Sequence, residues 1–321
     1  MKKRGTPLNI LDFLNQKYPI RRTKKEKEAF CEEILARMRG KGISACVEIT
    51  ADGKNKNLVI GDAASAKVVC TAHYDTPAAA LFPNIMIPRN TLLFYLYQFV
   101  PIILMLAAAL GGGYLIANAL YPASDTEDFM RVFLLGYLVL YYGLFFLMYR
   151  AFKNPNNCND NTSGVATILA LIDKLTDEQR QKFAFILFDN EEKGKKGSKA
   201  YSKDHKEMMR DRLLVNFDCV GNGEHIIFIA MADAEKRGEY AALRESFSTG
   251  GDFQSYFYPI KGSQSNSDYK NFPCGVGCMA CRRSKNGVFY TPYIHTSRDT
   301  VSHYENIEFI SDGMSRLAER L

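Results

Sequence analysis

Two long runs without a single charge constrain this chain more than any other feature. Nothing between Asn90 and Ser124 is charged, and Val132–Tyr149 is uncharged as well. The second run, VFLLGYLVLYYGLFFLMY, is about long enough to cross a hydrocarbon core of roughly 30 Å. The first contains Pro101 and Gly111-Gly112-Gly113, which leave room for a kinked or re-entrant span. A short acidic loop with Asp125, Glu127 and Asp128 separates them, and Arg89, Arg150 and Lys153 flank them. The expectation is a membrane hairpin over residues 90–150 that contacts the lipid bilayer. The bias of basic flanks against an acidic tip places the remainder in the cytoplasm. A pair of buried helices or an apolar dimer interface is the soluble alternative. A transporter is a poor fit, because a lone hairpin without intramembrane charge offers no ion path.

The hairpin divides the rest into residues 1–89 and 151–321, each rich in strand and helix signals. At 47% hydrophobic and 24% charged, the composition is that of a folded protein. The net charge of +6 comes with no basic stripe interleaved with aromatics, so nucleic acid is not an expected partner. The RRTKKEKE segment at Arg21–Glu28 alternates in sign and reads as the solvated face of a helix capped by Thr23. Eight unevenly spaced cysteines, and a basic Met1–Arg4 with no apolar stretch behind it, favour a reducing, cytoplasmic setting.

The stretch that carries chemistry is Phe183–Glu192, FAFILFDNEE. Its apolar run reads as a strand buried on both faces that stops at adjacent carboxylates. Two neighbouring glutamates repel unless a cation lies beside them or one takes a proton. A metal ion meets that need, with one glutamate as ligand and the other as general base. The bland alternative is a solvated helix start favoured by the helix dipole. Other strands end in a similar way. Lys67–Ala72 runs into His73 and Asp75, Arg212–Cys219 contains Asp218, and turn-rich NPNNCND ends at Asp160 before the helix Val165–Leu175. His295 follows in a late loop, ahead of a helix over Asn306–Leu321. A helix near Ala234–Ser246 and a strand near Phe253–Pro259 complete the reading. In open α/β sheets ligands collect beyond the carboxyl ends of strands, so these residues belong to one edge.

Taken in order, AHYDT, NDNTSGVA, FDNEE, NFD, the SDY-x-x-F of Ser267–Phe272 and IHTSRDT resemble the family-28 metallopeptidases, the co-catalytic di-zinc aminopeptidases. Relatives of that family include glutamate carboxypeptidase, the transferrin receptor and glutaminyl cyclases. The resemblance covers nearly all of the chain except the apolar insert. It implies a three-layer α/β/α zinc-peptidase-like fold with a mixed central sheet. It implies two Zn2+ ions, peptide substrates and a zinc-dependent exopeptidase activity. By the same likeness His73, Asp160, Glu192, Asp218 and His295 are the metal ligands, with Asp160 bridging. Glu191 is the general base, Asp75 orients His73 from behind, and Asp299 positions the loop or His295. A carboxypeptidase, a glutaminyl cyclase or a non-catalytic receptor or scaffold remain the alternatives.

Two departures stand out. The residues before the bridging aspartate are ordinarily small, whereas here they are Asn157-Cys158-Asn159. The join between His73 and Asp160 is ordinarily a short loop, and here it holds the hairpin. The hairpin then leaves from the rim of the site, so it should hold the catalytic mouth near the bilayer and restrict or select substrates. Cys274-x-x-x-Cys278-x-x-Cys281 has the spacing of an iron–sulfur motif, and thiolates also bind zinc. A pocket loop with incidental thiols is the simpler reading.

Overall fold

The apolar strand runs alternate between two buried faces, and that alternation builds the molecule. In β3 (Val68–His73) Val68, Cys70 and Ala72 face one core and Val69 the other. In β7 (Phe183–Phe188) Phe183, Phe185 and Leu187 face the first core, and Ala184, Ile186 and Phe188 the second. A strand with period-2 alternation and no polar face needs a helical layer on each side.

The computed structural model describes residues 9–80, 84–122, 127–149, 152–247 and 252–321. Met1–Arg4, Asp125 and Arg150 of the sequence reading lie outside the described residues. In chain order the elements begin with α1 (Ile10–Lys17), α2 (Lys24–Gly40), β1 (Ala45–Ile49), β2 (Lys56–Ile60) and β3. Short β4 (Ala78–Ala79) and β5 (Ile85–Met86) precede α3 (Thr91–Leu120) and α4 (Glu127–Tyr149), and β6 (Phe152–Lys153) closes the neck by pairing with β4. Then come α5 (Gly164–Lys174), α6 (Asp177–Arg180), β7, α7 (Lys196–Asp204), α8 (Lys206–Met209), β8 (Leu213–Phe217) and β9 (His225–Ala230). The chain finishes with α9 (Gly238–Ser246), β10 (Gln254–Pro259), β11 (Gly275–Arg283), β12 (Phe289–Pro292) and α10 (Tyr304–Arg320).

The main sheet runs β1-β2-β7-β3-β8-β11-β12-β5, with β9 and β10 added beside β11. Its centre, β7-β3-β8-β11, is parallel, and its flanking pairs are antiparallel except β9 with β10. The sheet is therefore mixed. Residues of α1, α2, α5, α9 and α10 close one face, and Tyr201, Met209, Tyr269 and Phe272 close the other. The α/β/α architecture with a mixed central sheet is the expected one.

Three local expectations change. The Arg21–Glu28 segment is not wholly solvated: Arg21 is fully buried and Lys27 nearly so, because carbonyls and an aspartate from distant loops receive them. The segment with Cys278 and Cys281 is a buried strand, β11, and not a loop. Its glycines mark close packing, since a Cβ on Gly277 would lie 2.5 Å from the Tyr269 ring. The helix near Ala234–Ser246 is broken, with a short turn over Ala234–Lys236 ahead of α9. Sequence reading also leaves β9 unassigned.

The first apolar run forms one continuous helix, with Pro101 inside it. It packs against α4 at glycines: a Cβ on Gly113 would lie 2.9 Å from the Tyr137 backbone nitrogen and 3.0 Å from the Phe133 carbonyl oxygen. Both helices are long and apolar enough to cross a membrane. Among the described residues, all exposed large hydrophobics except Ile49, Phe152 and Tyr293 lie between Leu92 and Leu147. The alternative of two buried core helices is thereby set aside, since the outer faces of this pair touch no protein.

Candidate metal centre

β3, β7 and β8 are neighbouring parallel strands, so their carboxyl ends lie side by side. His73 is the last residue of β3, Glu191 and Glu192 occupy a short turn just after β7, and Asp218 directly follows β8. Asp160 enters from the irregular segment Cys158–Ser163 that leads into α5, and His295 from the loop after β12. Sheet topology alone thus gathers residues spread over more than two hundred positions.

The geometry centres on Asp160. Its Oδ1 lies 3.2 Å from His73 Nε2 and its Oδ2 3.0 Å from His295 Nε2. Asp218 Oδ1 is 3.8 Å from His73 Nε2, and Glu192 Oε2 is 3.5 Å from His295 Nε2. Two sets of three donors result, His73–Asp160–Asp218 and Asp160–Glu192–His295, each with ligand atoms within 4.8 Å of one another. His73, Glu191 and Glu192 form a third such set. Imidazole and carboxylate are donors that zinc accepts. The buried Glu192 Oε1 has no hydrogen-bond partner among the described residues. Such an orphaned acceptor fits a cation in the cluster.

The supporting contacts are more specific than the sequence indicates. Asp75 accepts the backbone N–H groups of Glu191 (2.9 Å) and Glu192 (3.3 Å), so it holds the glutamate turn as well as lying behind His73. The His73 ring meets the Asp75 carbonyl oxygen at 3.1 Å and its carboxylate at 3.6 Å. Asp299 accepts the N–H groups of Asn159 (3.0 Å) and Asp160 (2.9 Å), and so fixes the Asp160 loop and not His295. Asn190, Cys219 and His295, each in or next to the site, take left-handed backbone angles with φ of 53°, 57° and 56°. Strained backbone of this kind persists only where surrounding structure enforces it.

Two cations went unread in the sequence. Arg21 sends Nε to the Tyr74 carbonyl (2.5 Å), Nη1 to the Tyr18 carbonyl (2.6 Å) and Nη2 to Thr162 Oγ1 (3.1 Å), tying the His73–Asp75 loop to the Asp160 loop. Burial lowers its pKa to about 10, with the Asp75 and Asp160 charges opposing, so it stays cationic at neutral pH. Lys27 donates to Asp189 (2.6 Å) and Asn190 (3.0 Å) beneath the glutamate turn. A candidate thiolate site does not assemble. Cys274 and Cys278 belong to one core and Cys281 to the other, so the three cannot share an ion.

The electrostatics show what the cluster lacks on its own. Burial raises Glu191 well above the carboxylate range although His73 opposes it. Burial raises Glu192 to about 8, with His295 opposing and Asp160 adding to the rise. Burial disfavours the charged imidazoles, yet Glu192 and Asp160 lift His295 to about 10, and Asp160, Asp218 and Asp75 lift His73 well above 6.5. Without a divalent cation the carboxylates are reconciled by protons.

A stability prediction follows from the signs. A group whose folded pKa exceeds its unfolded value contributes fully below the unfolded pKa and loses that contribution as pH rises through the folded one. For Glu192 that window runs from 4.5 to about 8, and for His295 from 6.5 to about 10. Asp160 has the opposite sign but acts only below 3.8. Metal-free protein should therefore lose thermal stability steadily between roughly pH 6 and 9, while zinc-saturated protein should not, because bound ligands are already deprotonated. Thermal melts of chelated and zinc-loaded protein across that range check this; parallel curves would refute it.

Comparison with solved structures finds the same fold. The Legionella pneumophila LapA aminopeptidase aligns with a TM-score of 0.56 at 16% identity, over 97% of this chain and 68% of that one. A glutaminyl cyclase from Porphyromonas gingivalis aligns with a TM-score of 0.56 at 12% identity, over 97% and 96%. Another from Fimbriiglobus ruber gives 0.53 at 12%, over 99% and 97%. At these identities the likeness is one of fold. No curated protein matches the chain by sequence. The pattern describing peptidase family M28 does match, across residues 152–316, the half of the chain that carries Asp160, Glu191, Glu192, Asp218 and His295. This chain belongs to peptidase family M28.

Proposed function

We propose that the protein is a membrane-anchored, zinc-dependent aminopeptidase. The observation that carries this reading is Asp160, whose two carboxylate oxygens face His73 on one side and His295 on the other. Residues 1–89 and 151–321 form one peptidase domain, and residues 90–150 form its membrane hairpin. His73, Asp160 and Asp218 would hold one ion, and Asp160, Glu192 and His295 a second. Bound there, a zinc pair would polarise the scissile carbonyl and ease deprotonation of water. Glu191 accepts the proton of the attacking water and delivers it to the leaving amine nitrogen. Asp75 fixes that glutamate through its backbone N–H, and Asp299 fixes Asp160.

The relatives by fold include glutaminyl cyclases, so an amide-acting but non-hydrolytic reaction is the second reading. The complete second donor set, His73 with Asp218, favours hydrolysis by two ions over single-metal cyclisation. Retention of both Glu191 and Glu192 speaks against a non-catalytic receptor. The peptidase domain lies on the cytoplasmic side in this reading. Arg89 and Lys153 flank the hairpin there, while at the tip Arg131 pairs with Glu127 (2.8 Å) and Asp128 (3.5 Å).

A peptide panel tests the proposal. Full-length protein with zinc should cleave unblocked peptides, leave N-acetylated ones intact and lose activity to a chelator until zinc is returned. Ammonia release from amino-terminal glutaminyl peptides without cleavage would instead establish the cyclase. Inertness toward every peptide with zinc supplied would end the enzymatic reading.

A further inference from the structure

Two cavities meet at the donor cluster, and the hairpin walls both. The first, of about 320 Å³, reaches from His73 and Asp218 to Met279 and Ile229 in the sheet, and includes Phe94 and Gln98 of α3. The second, of about 390 Å³, starts at Asp75, Glu192 and His295 and is walled by Ile102, Met105, Tyr141 and Phe145 of the hairpin. Gln98, Glu192 and His295 line both. Each volume is that of a small-ligand site.

The second cavity is a consequence of how the two helices pack. At Gly113 and Gly136 the helices meet backbone to backbone, with a Cβ on Gly136 only 3.4 Å from Gly113 Cα. Toward the peptidase domain the facing residues are large, and a cavity takes the place of that contact. Its depth follows from helix length. The 30 residues of α3 span about 45 Å at 1.5 Å per residue. That exceeds a hydrocarbon core of roughly 30 Å by about ten residues. With Leu120 at the far surface, Gln98 lies at the near interface and Ile102 and Met105 just inside it. On α4, Tyr141 and Phe145 lie about 6–12 Å from its domain-side end, at matching depth.

We infer that this second cavity receives the leaving side of the substrate, and that the substrate class is an apolar peptide presented from the bilayer. The inference rests on the aminopeptidase reading above. An aminopeptidase holds one residue on one side of the scissile bond and the rest of the chain on the other. The cavity enclosed by the sheet suits the single residue, and the cavity that enters the hydrocarbon suits an apolar remainder. Ile102, Met105, Tyr141 and Phe145 are then specificity-determining residues.

Full-length protein in lipid nanodiscs tests this with two amides, alanine methylamide and alanine dodecylamide. Wild type should prefer the dodecylamide in kcat/KM by about tenfold or more, and Ile102→Trp, which fills the cavity, should bring the ratio toward one. Partitioning into the same nanodiscs is common to both proteins and cancels from that comparison. Binding is read separately. The chain has no tryptophan, so Phe145→Trp carries a single indole, which a 12-bromododecylamide of alanine should quench beyond the level that 1-bromododecane at equal membrane concentration produces. Equal ratios in wild type and Ile102→Trp would overturn the inference, as would quenching no greater than that by 1-bromododecane, the result expected if a bilayer lipid fills the cavity. Quenching above that of 1-bromododecane without hydrolysis of either amide would overturn the peptidase reading and leave the apolar site standing.

Discussion

Glu191→Gln should lower kcat/KM on an unblocked peptide by about 10²–10⁴-fold while zinc content stays at the wild-type value. Glutamine keeps the shape of the side chain and the backbone N–H that Asp75 holds, but cannot take a proton. The free carboxyl is raised well above its ordinary range by burial, so a nearby dication is what would return it to the basic form at neutral pH. Glu192→Gln gives the contrast, because in the proposed site it costs metal as well as rate. Metal analysis beside steady-state kinetics separates the two variants. A Glu191→Gln protein of normal activity would remove the general base from the mechanism, and one that had lost zinc would make Glu191 a ligand.

Arg21→Met should destabilise the protein by on the order of 3 kcal/mol and weaken zinc binding together with it. The guanidinium serves two carbonyls and a hydroxyl in a fully buried position. Methionine fills the volume but leaves the Tyr18 and Tyr74 carbonyls without that donor. No longer burying a charge offsets part of the loss. Arg21→Lys keeps the charge without the planar fork, so it should recover only part of the stability. Denaturant melts and zinc titrations of the two variants measure both effects. A methionine variant as stable and as metal-avid as wild type would show that the two loops hold themselves.

The pattern of what could be read in the sequence has a physical cause. β3, β7 and β8 are signalled by local apolar runs, and a residue at the end of a buried strand must emerge at the sheet's edge. His73, Glu191, Glu192 and Asp218 therefore declare themselves from their own neighbours. Arg21 does not, because its partners are a carbonyl 53 residues away and a hydroxyl 141 residues away. Amid lysines and glutamates of alternating sign, nothing nearby distinguishes Arg21 and Lys27, the side chains that turn inward. Asp299 is singled out only by the family resemblance, and its own neighbours do not reveal its partners, since the N–H groups it accepts lie about 140 positions earlier. β11 was obscured for a different reason. Gly275 and Gly277 read as loop residues, yet they are small because Tyr269 packs against them.

The position of the hairpin within the chain has a consequence for how the protein is made. A ribosome completes His73 and Asp75 first, then the hairpin, and only afterwards Asp160, Glu191, Glu192, Asp218 and His295. The first histidine must wait through the synthesis of both apolar helices before any other member of the proposed ligand set exists. In the proposed reading, the donor set is completed only after both spans have been made, so the order of translation alone would withhold hydrolysis from nascent chains.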